Sequence, residues 1–165
     1  SNVWADADLL RPGTFSTGEP IGPHTLATMH LAAQNYLATM IYGGVFDRHP
    51  TLRVGIIELG AMWVGPFVDF LEDRLQLSRR LRESLQRSPR EVFIDQIRVT
   101  PFFWERTARQ IERYGMPEIY AFSTDFPHPE GGTDPIGRMA ADMQPLGDAA
   151  LEAFFIHNAE LLLPA

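Results

Sequence analysis

The sequence predicts an α/β fold built on a parallel sheet, and three observations favour it. Segments with helical periodicity alternate along the chain with short, near-continuous apolar runs. Such runs are typical of strands in a parallel sheet, because crossover helices cover both of its faces. At 165 residues, with 45% hydrophobic and 21% charged residues, the chain has the composition of a single globular domain over residues 1–165.

The composition excludes several classes of function. The net charge is −7, so the chain lacks the basic character of nucleic-acid-binding proteins, and we expect no nucleic-acid partner. There is no cysteine, which excludes disulfides, thiolate metal ligands and a thiolate nucleophile. All 14 cationic residues are arginine, so a lysine Schiff base and a phosphate-loop lysine are excluded as well.

Residues 1–23 carry clustered turn signals, at 11–13, 17–20 and 22–23, and predict an extended loop or linker. The first residues lack a charged region followed by an apolar run, the mark of a signal peptide. The chain also lacks an apolar stretch of the roughly 18 residues that a spanning helix needs. We therefore expect a cytoplasmic protein with no membrane partner.

Residues 24–42 predict a helix that Thr25 caps and that Gly43 and Gly44 end, followed by a short turn over 46–50. Its apolar positions recur at helical spacing. They are Leu26, His30, Ala33, Leu37 and Ile41.

The apolar run over 53–59 predicts a strand buried on both faces. Residues 64–86 then predict one long helix with an apolar inner face. The members of that face are Phe67, Phe70, Leu71, Leu75, Ser78, Leu81 and Leu85.

The second half of the chain repeats this alternation. Residues 88–91, Ser-Pro-Arg-Glu, have the pattern of a capping box and predict a short helical turn that leads into a strand near 97–100. Residues 104–114 predict a helix, 118–124 a buried strand and 148–163 a last helix. The inner face of the last helix is Leu151, Phe154, Phe155, Asn158, Leu161 and Leu162.

Two of the three predicted strands end in a carboxylate, Glu58 and Asp125, and His128 follows three residues after Asp125. The carboxyl ends of parallel strands meet at one edge of the sheet, where α/β proteins carry their chemistry. A carboxylate there is costly unless it is paired, hydrogen-bonded or bound to a metal. Carboxylate and imidazole together suit a divalent ion or a general acid/base pair.

A purely structural role stays open for each of these residues. Asp125 would also serve as a helix N-cap or turn residue, Glu58 as an arginine's ion-pair partner, and His128 as a loop residue without a role. His30 lies on an apolar helix face, which favours a core histidine. The remaining histidines have no chemical context and are expected at the surface: His24, His49 and His157.

Three segments resemble the metal-dependent amidohydrolase superfamily. They are 44–66, GVFDRHPTLRVGIIELGAMWVGP, then 71–75, LEDRL, and 122–131, FSTDFPHPEG. The branch they resemble contains aminocarboxymuconate-semialdehyde decarboxylase and related aromatic-acid decarboxylases and hydrolases. Asn158-Ala159 also fits the last helix of that branch.

The resemblance implies a parallel-strand (β/α)8 TIM barrel, of which this chain would be the C-terminal half, strands six to eight with flanking helices. The family's first-strand His-x-His is absent from the sequence. The resemblance implies that Asp125 is a ligand of a divalent metal, with zinc expected first and manganese or another ion as the alternative. The resemblance further implies that Asp125, Glu58 and His128 are the catalytic residues. Asp125 would also handle the proton of a metal-bound water, and His128 would act on the substrate side or support a metal ligand. Glu58 stands where many members carry histidine and would orient substrate, and Trp63 would line the substrate pocket.

The implied function is a metal-dependent hydrolase or non-oxidative decarboxylase of a small carboxylated or aromatic substrate. One carboxylate cannot hold an ion tightly, because catalytic sites use about three protein ligands. We therefore expect an incomplete metal site, and no activity from the chain alone. The alternative is a non-catalytic half-barrel that serves as an oligomerisation module, as a homodimer or with the other barrel half. A magnesium-dependent phosphate-handling domain using Asp125 is disfavoured, since a glycine-rich phosphate loop is absent.

Overall fold

The computed structural model describes residues 23–128 and 131–163, in which helices alternate with two short parallel strands. The predicted loop over 1–23 therefore lies outside the described residues, apart from Pro23. The predicted helix over 24–42 begins at Pro23 and is interrupted at Met29. It forms α1, Pro23–Thr28, and α2, His30–Tyr42.

The helix α2 buries the part of the predicted apolar face from Ala33 onward and ends where the glycines predict. Ala33, Leu37 and Ile41 are buried, and Gly43 is its C-cap. Gly44 then takes a left-handed backbone (φ 66°) that glycine adopts without cost. The prediction of a turn over 46–50 is wrong. A four-residue helix, α3, Val45–Arg48, stands there because the His49 N–H donates to the Val45 carbonyl and closes one helical turn.

The first strand, β1, Val54–Ile56, is shorter than the predicted 53–59, and the prediction of burial on both faces is wrong. Ile56 is buried, but Gly55 and Ile57 are exposed. A Cβ atom on Gly55 would stand 3.0 Å from Leu162 Cδ1, so the end of the last helix reaches this side of the strand. The left-handed backbone of Glu58 turns the chain away just after Ile57.

The second strand, β2, Ile97–Val99, pairs parallel with β1 in the register Val54↔Ile97 to Ile56↔Val99. The predicted third strand over 118–124 shrinks to a single parallel bridge between Val99 and Tyr120. A 3-10 turn precedes it, and beyond it the Phe122 N–H donates to the carbonyl of Phe154. The last helical segment thus takes the hydrogen bond that would extend the ladder.

The predicted helix over 64–86 is two helices, α4, Val64–Leu75, and α5, Arg79–Ser84. The break falls where the Ser78 hydroxyl accepts the Leu81 N–H and caps a new helix. Of the predicted inner face, Phe67, Leu71 and Leu75 are buried. Phe70 was wrongly placed there, because it is 51% exposed and lies under the Arg74 guanidinium at 4.5 Å.

The capping box is confirmed at the start of α6, Pro89–Gln96. The Ser88 hydroxyl accepts the Glu91 N–H, and the Glu91 carboxylate accepts the Ser88 N–H. The next helix, α7, Thr107–Tyr114, ends at Gly115 as predicted. It begins three residues after the predicted start at Trp104, since Trp104 and Glu105 belong to the loop after β2.

A helix that the sequence patterns did not predict, α8, Pro135–Met143, lies between the third strand segment and the last helix. Its signals are present in the sequence: the Asp134 carboxylate accepts the Gly137 N–H as N-cap, and Pro135 occupies the first helical position.

The last helix covers 148–160 of the predicted 148–163, as α9, Asp148–Glu152, a π-helical turn, Ala153–His157, and α10, Asn158–Glu160. Buried Asn158 donates from Nδ2 to the carbonyls of Pro117 and Tyr120, at 2.9 and 2.8 Å. These bonds fix the last helix against the start of the third strand segment.

The hydrophobic core lies between the strands and the helices α4, α6 and α7. Its largest fully buried side chains include aromatic and aliphatic residues: Tyr120, Phe46, Phe93, Phe154, Leu37, Leu71, Ile97 and Ile119. Within residues 23–128 and 131–163, no helix has both the length and the apolar character needed to cross a membrane.

Replacing Ser88 with alanine is expected to lower the free energy of unfolding by about 1 kcal/mol, because the N–H that the Ser88 hydroxyl accepts loses its partner. Urea denaturation measures the change. Ser84→Ala is the matched control, since the Ser84 hydroxyl is exposed and bonds a carbonyl within its own helix. Equal losses from the two variants would contradict the role of the capping box.

Candidate functional site

Glu58, Asp125 and His128, the three residues that the strand-end pattern predicts, lie together at the carboxyl ends of the strands. One ligand atom from each residue lies within 4.8 Å of the other two. His128 Nδ1 is 3.1 Å from Asp125 Oδ1 and 3.5 Å from Glu58 Oε2. The structure therefore joins the ends of the first and third strand segments in one cluster, which we call the acidic–histidine triad.

Both carboxylates of the triad stand on left-handed backbone, with φ of 61° at Glu58 and 57° at Asp125. This conformation costs a non-glycine residue roughly 1–2 kcal/mol, so the surrounding structure must hold it. Thr100, directly after β2, supplies part of that support. Its hydroxyl accepts the Glu58 N–H at 3.2 Å, and its own N–H donates to the Ile56 carbonyl at 3.2 Å.

A tight turn places the imidazole of the triad over its buried carboxylate. The Asp125 carbonyl accepts the His128 N–H at 2.8 Å, and the Thr124 hydroxyl accepts the Phe126 N–H. Asp125 is thus a turn residue through its backbone, while its carboxylate contacts His128. The Asp125 side chain is 9% exposed and the His128 side chain is 54% exposed. Within the triad, the Asp125 carboxylate is therefore enclosed and the imidazole is open to solvent.

The sequence left open a purely structural role for Glu58, as the ion-pair partner of an arginine. Over the residues that it describes, the structure does not show this ion pair. Among the described residues, the ionisable side chain within 4.0 Å of the Glu58 carboxylate is the His128 imidazole and not an arginine. His30 is partly buried and stacks on Trp63, with ring centroids 5.9 Å apart, and burial lowers its pKa. His157 is half exposed and lies 3.6 Å from the nearest oxygen of an exposed glutamate, Glu152.

Trp63 lies in a groove beside the triad and not in the triad itself. Its indole Nε1 donates to the Gly60 carbonyl at 2.9 Å, and the side chain is largely buried. Phe102 lines both this groove and the cleft that holds Glu58 and Asp125. The groove and the cleft of the triad therefore share one lining residue, Phe102, in the loop after β2.

The sequence patterns missed two supporting residues, Thr100 and Glu105. Oε2 of Glu105 accepts the N–H of Ala61 at 2.8 Å and of Phe102 at 3.1 Å, which ties the loop after β1 to the loop after β2. Burial raises the pKa of the Glu105 carboxyl. The available signal was an acidic residue directly after the aromatic run over 102–104, a setting in which a carboxylate needs backbone donors.

The triad offers two carboxylates and one imidazole to a shared point, a donor set that suits a hard or borderline divalent ion such as zinc or manganese. It also suits proton transfer. With the proton on Nδ1, His128 donates to Asp125 and leaves Nε2 free toward solvent as a base.

Comparison with known proteins identifies the relatives of this chain. The sequence profile of the amidohydrolase family matches residues 15–165. Among solved structures, the chain is similar to the crystal structure of an amidohydrolase from Mycobacterium avium subsp. paratuberculosis, with a TM-score of 0.71 and 23% sequence identity. The match covers 86% of this chain and 37% of that protein, and at this identity it concerns the fold alone. A search of curated protein sequences returned no match.

Proposed function

The chain belongs to the amidohydrolase family, and from this membership we propose that the acidic–histidine triad is part of a divalent-metal centre for hydrolysis. The observation that carries the proposal is the convergence of Glu58, Asp125 and His128 within 4.8 Å. The family generally uses a divalent metal, and the three side chains present the donor types that such an ion takes.

Each residue of the triad has a distinct task in this proposal. Asp125, whose side chain is largely buried, would hold the ion. His128 is oriented by Asp125 and moves a proton at its exposed nitrogen. Glu58, which is half exposed, faces the substrate as a ligand or an orienting group. When bound, the ion would supply Lewis-acid polarisation of the scissile group and a more acidic water, with zinc the first expected ion and manganese the alternative.

We also propose that β1, β2 and the segment around Tyr120 are strands six to eight of a (β/α)8 barrel. The parallel pairing and the position of both carboxylates at the strand ends support this placement. The chain spans 37% of the length of the solved amidohydrolase it matches. Histidines of the first and fifth strands would complete the metal site in a whole barrel.

The proposed substrate is a small carboxylated or aromatic molecule, and the finer family proposal is the branch of aminocarboxymuconate-semialdehyde decarboxylase. Metal-dependent hydrolysis and non-oxidative decarboxylation are separated by their products. A panel of aromatic amides, esters and acids, assayed for acid release and for carbon dioxide release, distinguishes the two.

The experiment that tests the metal proposal is a zinc and manganese titration of the purified chain, followed by calorimetry. We expect one site per chain, because three side chains converge on one point. The site is expected to be weak, because the histidine ligands of the first and fifth strands are not part of the chain. Absence of binding by both ions at millimolar concentration would overturn the proposal for this chain. Asp148→Asn, a change at an exposed helix position, is expected to leave the titration unchanged.

Thr100→Val is expected to weaken zinc binding about tenfold, because valine keeps the shape of threonine but cannot accept the Glu58 N–H. Competition with a chromogenic chelator measures the affinity. Thr100→Ser restores the hydroxyl and should bind zinc as tightly as the unsubstituted chain. A valine variant with unchanged affinity would show that the Thr100 bond does not position Glu58.

A second candidate function is assembly without catalysis, which the exposed face of β1 favours. Ile57, directly after β1, is 44% exposed in an apolar run, 53–59, whose pattern predicts full burial. We propose that a second copy of the chain covers this face. Sedimentation velocity tests it: a dimer that Ile57→Lys converts to monomer supports assembly, and a monomer at all concentrations contradicts it.

A further inference from the structure

Beside the triad lies a groove of about 380 Å³, within the range of roughly 300–1,000 Å³ that small-molecule sites occupy. We call it the aromatic groove. Leu59, next to Glu58 in the chain, lines it, and Phe102 lines both the groove and the cleft of the triad. The described residues that line it are mostly apolar or aromatic, among them Met62, Trp63 and Trp104.

The aromatic groove presents ring and thioether surfaces. Trp104 is 47% exposed and stacks on Phe102 with centroids 4.6 Å apart, and Met62 is 50% exposed. Trp63 uses its indole N–H for the Gly60 carbonyl, so it offers no donor to a ligand. These surfaces favour a flat apolar group that stacks or packs edge-on.

The described residues that line the groove offer no arginine to receive a carboxylate. Its two ionisable side chains are Glu105, whose Oε2 accepts two backbone N–H groups, and His30, whose pKa burial lowers. A carboxylate moved into this setting would lose its hydration without gaining a cation, which costs much more than burial of a neutral polar group.

We propose that the aromatic groove binds an uncharged aromatic ring of the substrate, with the reacting group placed at the triad. Identifying the groove as a substrate site rests on the proposed function. Ring binding itself depends on the groove alone. The groove assignment also narrows the substrate class, because a carboxylate of the substrate, where present, lies on the triad side of Phe102 and not in the groove.

A pair of probes that share shape but differ in charge tests this proposal. Benzamide and benzoate are titrated into ¹⁵N-labelled chain at neutral pH with a chelator present, and the indole N–H signals of Trp63 and Trp104 are followed by NMR. We expect benzamide to shift both signals, with an affinity at least about tenfold higher than that of benzoate. Equal binding of the two probes, or no shift of either indole signal, would overturn the proposal.

A charge placed at the groove provides the matched variant. Met62→Lys adds an ammonium at a half-exposed lining position and is expected to raise benzoate affinity at least about tenfold. Leu77→Lys adds the same charge at a position that is 76% exposed and outside the groove, and should leave both probes unchanged. If Leu77→Lys raises benzoate binding as much as Met62→Lys does, the ligand is not in the groove and the proposal fails.

The chelator separates this inference from the metal proposal. Benzamide binding without zinc binding would leave the groove assignment standing and remove the metal centre. Zinc binding without probe binding would overturn the groove assignment and leave the proposed function intact.

Discussion

Replacing Asp125 with asparagine is expected to lower zinc affinity at least about 100-fold, more than the loss of a residue that only supports a ligand. Asp125 is the most enclosed of the three side chains and contacts His128 directly, so its charge is the least screened by water. The amide keeps the size of the carboxylate but brings no negative charge and a weaker donor. Calorimetric titration with zinc measures the change.

The same substitution should leave the fold in place, which distinguishes lost binding from lost structure. The Asp125 backbone carbonyl accepts the His128 N–H, and this bond survives a side-chain change. Circular dichroism and urea denaturation are therefore expected to match the unsubstituted chain within about 1 kcal/mol. A variant that folds normally and binds zinc with unchanged affinity would show that Asp125 is not a metal ligand.

The residues of the triad could be predicted because their signals are local. Apolar runs place Glu58 and Asp125 at strand ends, and three-residue spacing brings His128 back to Asp125. The supporting residues could not be predicted in this way. Thr100 reaches Glu58 across 42 residues of sequence and Glu105 reaches Ala61 across 44, contacts that exist only after the strands have paired.

The same division runs through the fold. The capping box at 88–91 and the glycine at 115 were predicted because residues adjacent in the sequence determine where a helix ends. The third strand segment was predicted too long because its length depends on a partner distant in sequence. That partner is the Phe154 carbonyl, which accepts the Phe122 N–H. The exposure of Ile57 likewise depends on what covers the sheet, which the apolar pattern of 53–59 does not contain.

Glu105→Leu is expected to lower the free energy of unfolding by roughly 2–5 kcal/mol, the cost of leaving two backbone donors without their shared acceptor. The N–H groups of Ala61 and Phe102 both donate to Glu105 Oε2, and leucine fills the space but accepts neither. Urea denaturation measures the loss. A change below about 0.5 kcal/mol would show that water or another acceptor replaces the carboxylate.

Glu105→Gln separates the hydrogen bonds from the charge. The glutamine oxygen can accept both N–H groups, so at acidic pH this variant is expected to be about as stable as the unsubstituted chain. Burial raises the pKa of Glu105 in the folded protein above its unfolded value. The stability that this group contributes is therefore fully present below the unfolded pKa of 4.5 and is lost as pH rises through the folded pKa. Because glutamine does not titrate, the variant should gain stability relative to the unsubstituted chain as the pH rises. Urea denaturation of both proteins at pH 4 and pH 8 measures this gain. A stability difference between the two proteins that does not change with pH would mean that the backbone donors fully offset the burial of the Glu105 charge.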